Sequence, residues 1–231
     1  MAEFVLVHGT TQSPAGWERL AGELRRRGQG VITVDLSAGE PEYGVSDYAN
    51  LAAAQAGEPG SRRVAVAHSG AGVLLPAIAE STEASAAVWL AAYVPQLASG
   101  QSMLDDITSS RDAMFHADWL GVDPTADPQL ALRFLFHDCD QLTQQWALGT
   151  LRLFNPGSAV YQHGPDPLRP AISRACIVPA ADRTLRPEWM RQAALERLGV
   201  EPAEVEAGHC PHVSRPAMVA GILCDLLESA A

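Results

Sequence analysis

The 231-residue chain contains no lysine; all 16 of its basic residues are arginine. That absence excludes a Schiff-base nucleophile, a lysine-anchored pyridoxal phosphate and a Walker A phosphate cradle. Basic charge is also scarce, and the formal net charge is −11. A surface of that sign repels phosphate backbones and anionic lipid headgroups, so neither nucleic acid nor a membrane is expected as a partner. The one basic run, Arg25-Arg26-Arg27, falls at the end of an expected helix, facing the negative end of its dipole.

Cysteine is sparse and unpatterned. Cys139, Cys176, Cys210 and Cys224 form no C-x-x-C pair and no disulfide framework, and they read as reduced residues, Cys176 and Cys224 on apolar segments. The strand-like Phe4-Val5-Leu6-Val7 follows no basic, apolar or cleavable leader, and no apolar run reaches bilayer length. A cytoplasmic location is the expectation.

What is present suits one globular domain with a small insert. Hydrophobic residues make up 47% of the chain and charged ones 19%, too apolar for disorder. At this length roughly 70–75% of the unfolded surface can be buried. Short β-branched runs at 4–7, 31–35, 64–67, 87–92 and 175–178 alternate with helix-like segments, and a shorter strand is expected near Val205. That alternation predicts an α/β fold: a mostly parallel six-stranded sheet with helices on both faces. Residues 96–170 break the pattern with aromatic-rich helices, so 1–95 and 171–231 read as the core and 96–170 as a helical cap insert. Expected helices include one from Ser13-Pro14 to Gly28, one over 70–80 and one over 187–198. A last helix is expected to start near Ser214.

Chemistry concentrates where strands end. In Val64-Ala65-Val66-Ala67-His68-Ser69-Gly70-Ala71-Gly72 a strand runs directly into a helix, a turn sharp enough to expose the Ser69 hydroxyl. Only small side chains fit two positions either side, and Ala67 and Ala71 meet that demand. The Gly70 N–H at the following helix start is free to receive an oxyanion, and His8-Gly9-Thr10 after the first strand offers the Thr10 N–H as a second donor. Asp182 follows the fifth strand, and His209, in Gly208-His209-Cys210-Pro211-His212, follows the sixth. The first three features each have a plain structural explanation alone: a small-residue turn, a glycine turn and a solvated aspartate paired with Arg183. His212 competes with His209 as the base but lies closer to the helix start.

Two other site types are disfavoured. Gly70-x-Gly72 lacks the third glycine of a dinucleotide fingerprint, Leu75 standing there, and it follows the third strand rather than the first. His209, Cys210 and His212 offer no fourth ligand, so no metal is expected. No cofactor is called for.

Taken in order, Val7-His8-Gly9, Ala67-His68-Ser69-Gly70-Ala71, Asp182 and Gly208-His209 with Ser214-Arg215-Pro216 resemble the α/β-hydrolase superfamily, in particular its small esterase and hydroxynitrile-lyase-like branch. The resemblance spans nearly the whole chain. It implies Ser69 as nucleophile, His209 as base and Asp182 as acid, with the N–H groups of Thr10 and Gly70 as oxyanion hole. It departs from the family twice. Alanines replace both glycines of the G-x-S-x-G elbow, and the pocket lysine of the cyanohydrin-cleaving members has no counterpart. The expected activity is hydrolysis of an ester, lactone or thioester of a small apolar or aromatic molecule. The alternatives are a non-hydrolytic cyclase or lyase that uses His209 as base, and a ligand-binding protein. Phe134, Phe136, Trp146 and Phe154 of the insert are candidates to roof the substrate pocket, although apolar residues at helical spacing also build plain core. A small-molecule substrate is the expected partner, and a homodimer is left open.

Overall fold

A computed structural model of the protein describes residues 1–40, 42–157, 160–161 and 168–229. The strands are β1 (Ala2–Val7), β2 (Gly30–Val34), β3 (Arg62–His68), β4 (Ala84–Leu90), β5 (Ser173–Pro179) and β6 (Ala203–Val205). They form one sheet in the order β2-β1-β3-β4-β5-β6, and every neighbouring pair is parallel. The expected sheet is therefore present, and it is wholly rather than mostly parallel.

Side chains alternate between two apolar layers, as the two-residue period of a strand requires. Val5, Val7, Ala65, Ala67, Ala87, Trp89, Cys176 and Val178 face one layer, with Tyr48 and Ala52 of α2 (Val45–Ala56) and Ile78 of α3 (Leu75–Ser81). Phe4, Leu6, Val64, Val66, Val88, Leu90 and Ile177 face the other, packed against Leu20 and Leu24 of α1 (Glu18–Arg26). Both faces are covered, which is why these strands read as nearly unbroken apolar runs.

Between β4 and β5 lie α4 (Met103–Met114), α5 (Pro128–Phe134) and α6 (Gln141–Leu148). The rest of the expected insert includes residues 158–159 and 162–167, outside the described residues. After β5 come α7 (Pro187–Ala193), the single turn α8 (Pro211–Ser214) and α9 (Pro216–Ser229). Among the described residues no helix is long and apolar enough to cross a membrane.

Three expected helices differ in detail. The helix after Ser69 starts as a 3-10 turn, Ser69–Val73, before α3. The one expected over 187–198 passes from α7 into a π-helical segment, Ala194–Leu198, which Gly199 ends at φ +72°. The last helix is split because Pro216 disfavours a helical residue before it, and Arg215 leaves the helical region at φ −133°, ψ 46°.

Candidate active site

β1 and β3 are adjacent, so the loops at their carboxyl ends share one rim of the sheet, and those after β5 and β6 reach the same rim. Ser69 follows β3 at φ +56°, the left-handed region that strains any residue with a Cβ. Close backbone packing holds that turn. The Tyr93 N–H donates to the Ser69 carbonyl at 3.0 Å, a Cβ on Gly9 would stand 2.7 Å from the Ser69 Cβ, and one on Gly72 would overlap the Tyr93 carbonyl oxygen. Ala67 and Ala71 are buried in the turn's flanks, so small size rather than glycine itself is the requirement met there.

The structure brings Ser69, His209 and Asp182 into one hydrogen-bonded series. Ser69 Oγ lies 3.0 Å from His209 Nε2, and His209 Nδ1 lies 2.7 Å from Asp182 Oδ2. Asp182 and His209 are buried at 3% and 2% exposure, whereas Ser69 is partly open to solvent. Asp182 is not the solvated, arginine-paired residue that its sequence context also allowed, since Arg183 turns away to donate to the Arg133 carbonyl. Its Oδ1 instead accepts from Thr184 N at 2.7 Å, Thr184 Oγ1 at 3.0 Å and Leu185 N at 3.2 Å.

Thr10 and Gly70 face each other across the rim: a Cβ on Gly70 would stand 3.0 Å from Thr10 Cγ2. The Thr10 carbonyl accepts the Phe154 N–H at 2.7 Å, and Gln12 bridges Leu151 in antiparallel fashion. The loop after β1 is thus pinned by residues 151–154 of the expected insert.

Behind His209 lies a buried polar layer. His68 Nε2 donates to the His209 carbonyl at 2.8 Å, and His212 Nε2 donates to Gln12 Oε1 at 3.0 Å while Gln12 Nε2 donates to Cys210 Sγ at 3.0 Å. Burial pushes His68 well below the ordinary histidine range and His212 down to about 3, so both rings are neutral near pH 7. His8 is lowered by burial too; its Nε2 accepts the Leu36 N–H at 3.1 Å, which makes the 3.6 Å approach of Asp35 a contact of a neutral ring. Donor atoms of His68, Cys210 and His212 lie within 4.8 Å of one another, a looser grouping than a metal shell and one that leaves His209 out. His212 is therefore a support residue, not the group beside Ser69.

A cavity of about 460 Å³ opens beside Thr10 and Thr11, next to the rim but without Ser69, Asp182 or His209 on its wall. Its wall includes Ile107, Phe115, Trp119, Val122, Phe154 and Tyr161. Of the four aromatic residues expected to roof the pocket, Phe154 is on this wall and three are not. Phe134 and Phe136 are buried with Ala131 and Ala147 against Cys210 and Val213, forming a small core behind the loop that carries His209. Trp146 borders a separate surface depression with Glu18, Arg19 and Leu142. Phe134 and Phe136 thus pack on the segment that carries His209 instead of the cavity.

Sequence reasoning also missed Thr184, Gln12, His137 and Asp138. Only Thr184 carried a local signal, since an aspartate two residues before a threonine often closes a side-chain turn. The others act across long sequence separations.

A rim formed by a serine at a strained strand-to-helix turn, a histidine and a buried carboxylate defines a hydrolase-type α/β scaffold. The sequence matches the profile of the alpha/beta hydrolase family over residues 4–222, and the chain belongs to that family. Solved structures share its fold over nearly their full length. Polyneuridine aldehyde esterase is 21% identical, covers 98% of this chain and 99% of its own, and superposes with a TM-score of 0.76. A methylesterase from Arabidopsis is 17% identical, with 99% of each chain covered and a TM-score of 0.74. Tomato methylketone synthase I is 18% identical, with 100% and 99% covered and a TM-score of 0.75. Comparison with curated protein sequences gives no match.

Proposed function

We propose that the protein is a serine hydrolase that cleaves an ester, lactone or thioester of a small apolar or aromatic molecule. The observation that carries this reading is the series Ser69 Oγ, His209 Nε2, His209 Nδ1, Asp182 Oδ2, with links of 3.0 and 2.7 Å. In the proposed cycle His209 Nε2 takes the Ser69 proton as Oγ attacks the carbonyl, and Asp182 orients the ring and stabilises the imidazolium. The N–H groups of Thr10 and Gly70 receive the oxyanion. Collapse breaks the bond to the leaving group, which takes the proton from Nε2. Water, deprotonated by the same nitrogen, then releases the acyl group and restores Ser69.

The cavity supports the substrate class. Its wall is mostly apolar and aromatic, and Asp123 is its one charged residue among those described. A substrate carrying a free carboxylate finds no basic partner there. Segments 107–124 and 153–155 supply most of that wall, which supports residues 96–170 acting as a cap over the core.

The fold shared with a methylketone synthase keeps the non-hydrolytic reading as the second one. The two readings separate in one experiment. Ser69 is expected to be labelled by a fluorophosphonate, and short p-nitrophenyl esters are expected to turn over at a rate that Ser69→Ala lowers by about 10⁶. Labelling without ester turnover favours the non-hydrolytic enzyme, and absence of both leaves a binding protein.

A further inference from the structure

The Thr184 hydroxyl lies where the Asp182 and His209 side chains meet, and the reaction proposed above does not use it. It is 1% exposed, 3.0 Å from Asp182 Oδ1 and 2.8 Å from His209 Nδ1, and it accepts the Leu185 N–H at 2.6 Å. A hydroxyl has one proton and two lone pairs, so these three contacts have only two assignments. In the first, Thr184 donates to Asp182 Oδ1 and accepts from Leu185 N–H and His209 Nδ1–H. In the second, Thr184 donates to an unprotonated Nδ1. The second sets that nitrogen's lone pair against Asp182 Oδ2 at 2.7 Å with no proton between two acceptors, and leaves the hydroxyl oxygen facing Asp182 Oδ1 in the same way. Only the first closes. It puts the ring proton on Nδ1 and therefore a lone pair on Nε2, the nitrogen 3.0 Å from Ser69 Oγ.

We propose that Thr184 is a positioning residue that holds His209 in the tautomer and orientation able to take the Ser69 proton, a role that rests on the serine-hydrolase reading. The hydroxyl shares the Nδ1–H with Asp182, and so blocks rotation of the imidazole out of the carboxylate plane. Its own proton goes to Asp182 Oδ1, which, with the N–H groups of Thr184 and Leu185, holds the carboxylate with Oδ2 turned to the ring.

The test compares Thr184→Val, which keeps the shape and removes the hydroxyl, with Thr184→Ser, which restores it. With a p-nitrophenyl ester, kcat per phosphonate-titrated site is expected to fall about 10- to 100-fold in the valine variant while KM stays within about twofold. The phosphonylation rate of Ser69 is expected to fall in parallel, and the serine variant to recover most of both. In proton NMR the low-field His209 Nδ1–H resonance, assigned by its loss in His209→Gln, is expected to shift upfield or broaden in Thr184→Val and to return in Thr184→Ser. A valine variant with the wild-type resonance and wild-type rate per titrated site overturns the proposal, even if it melts earlier. The resonance is read without substrate, so it tests Thr184 even if Ser69→Ala leaves turnover intact and the hydrolase reading itself fails.

Discussion

The Asp138 carboxylate accepts the Gly208 N–H at 2.8 Å, joining the segment after α5 to the residue immediately before His209. The neighbouring His137 does the same on the other side: its Nε2 donates to the carbonyl of Ala181, immediately before Asp182, at 3.1 Å. Two consecutive residues of the segment between β4 and β5 therefore hold both loops that carry His209 and Asp182. The approach is tight enough that a Cβ on Gly208 would stand 2.7 Å from His137 Nε2 and 2.8 Å from Asp138 Oδ1.

That clamp sets the first expectation. Gly208→Ala forces His137 and Asp138 outward, at a cost of about 1–3 kcal/mol in stability, and it displaces His209 from Ser69. Since a misplacement of about 1 Å can cost about 10²-fold in rate, kcat is expected to fall by at least tenfold. Asp138→Ala orphans the Gly208 N–H and is expected to lower kcat in the same direction, with Asp138→Asn milder because its amide oxygen still accepts. Urea unfolding and ester turnover measure both effects. A Gly208→Ala enzyme with wild-type kcat would show that the contact does not position His209.

Much of this site was legible from the chain because the chemistry sits at strand ends, where local pattern is most informative. Ser69 announces itself through the small residues Ala67 and Ala71, and Asp182 and His209 through their places after two apolar strands. The clamp was not legible, since nothing local ties Asp138 to a glycine 70 residues later. The roles of Phe134, Phe136 and Trp146 were hidden for a related reason. A helical period says that a face is apolar, but whether a cavity or a core covers it depends on tertiary packing. The split at Arg215 shows the reverse case, in which a local proline rule was present in the sequence and alone explains the break.

The placement of the insert's aromatic residues yields a second expectation. Phe154 lines the cavity beside Thr10, and its ring also packs edge-on against His8 and Tyr48, each at 5.5 Å. Phe154→Ala is expected to raise KM for an aryl ester by about tenfold, since one well-filled apolar contact contributes about 1–3 kcal/mol to recognition. Trp146→Ala is expected to leave kcat/KM within about twofold, because that ring borders a depression elsewhere. Phe136→Ala is expected to act on stability instead, by about 3–5 kcal/mol, because it opens a hole in the core behind Cys210 and Val213. Steady-state kinetics beside urea unfolding of the three variants separates cavity wall from core.

A third expectation concerns acid. His212 and His68 are wholly buried and neutral, the first lowered to about 3 from 6.5 and the second also well below 6.5, in both cases mainly by burial. For a base lowered in this way the unfolded chain binds the proton first. The stabilising contribution is therefore complete above about pH 6.5 and is lost as pH falls from there toward the folded value. For His212 the loss by pH 5 amounts to about 2 kcal/mol, each pH unit below 6.5 being equivalent to about 1.4 kcal/mol. Urea unfolding at pH 7 and pH 5 is expected to show that fall in the wild type. His212→Gln keeps a donor toward Gln12 but has no titrating ring, so its stability is expected to depend less on pH by about the same amount. Equal pH dependence in the two proteins would mean that His212 takes up its proton in the folded state as readily as in the unfolded chain, contrary to a neutral ring packed against Trp17 at 4.4 Å and bonded to Gln12.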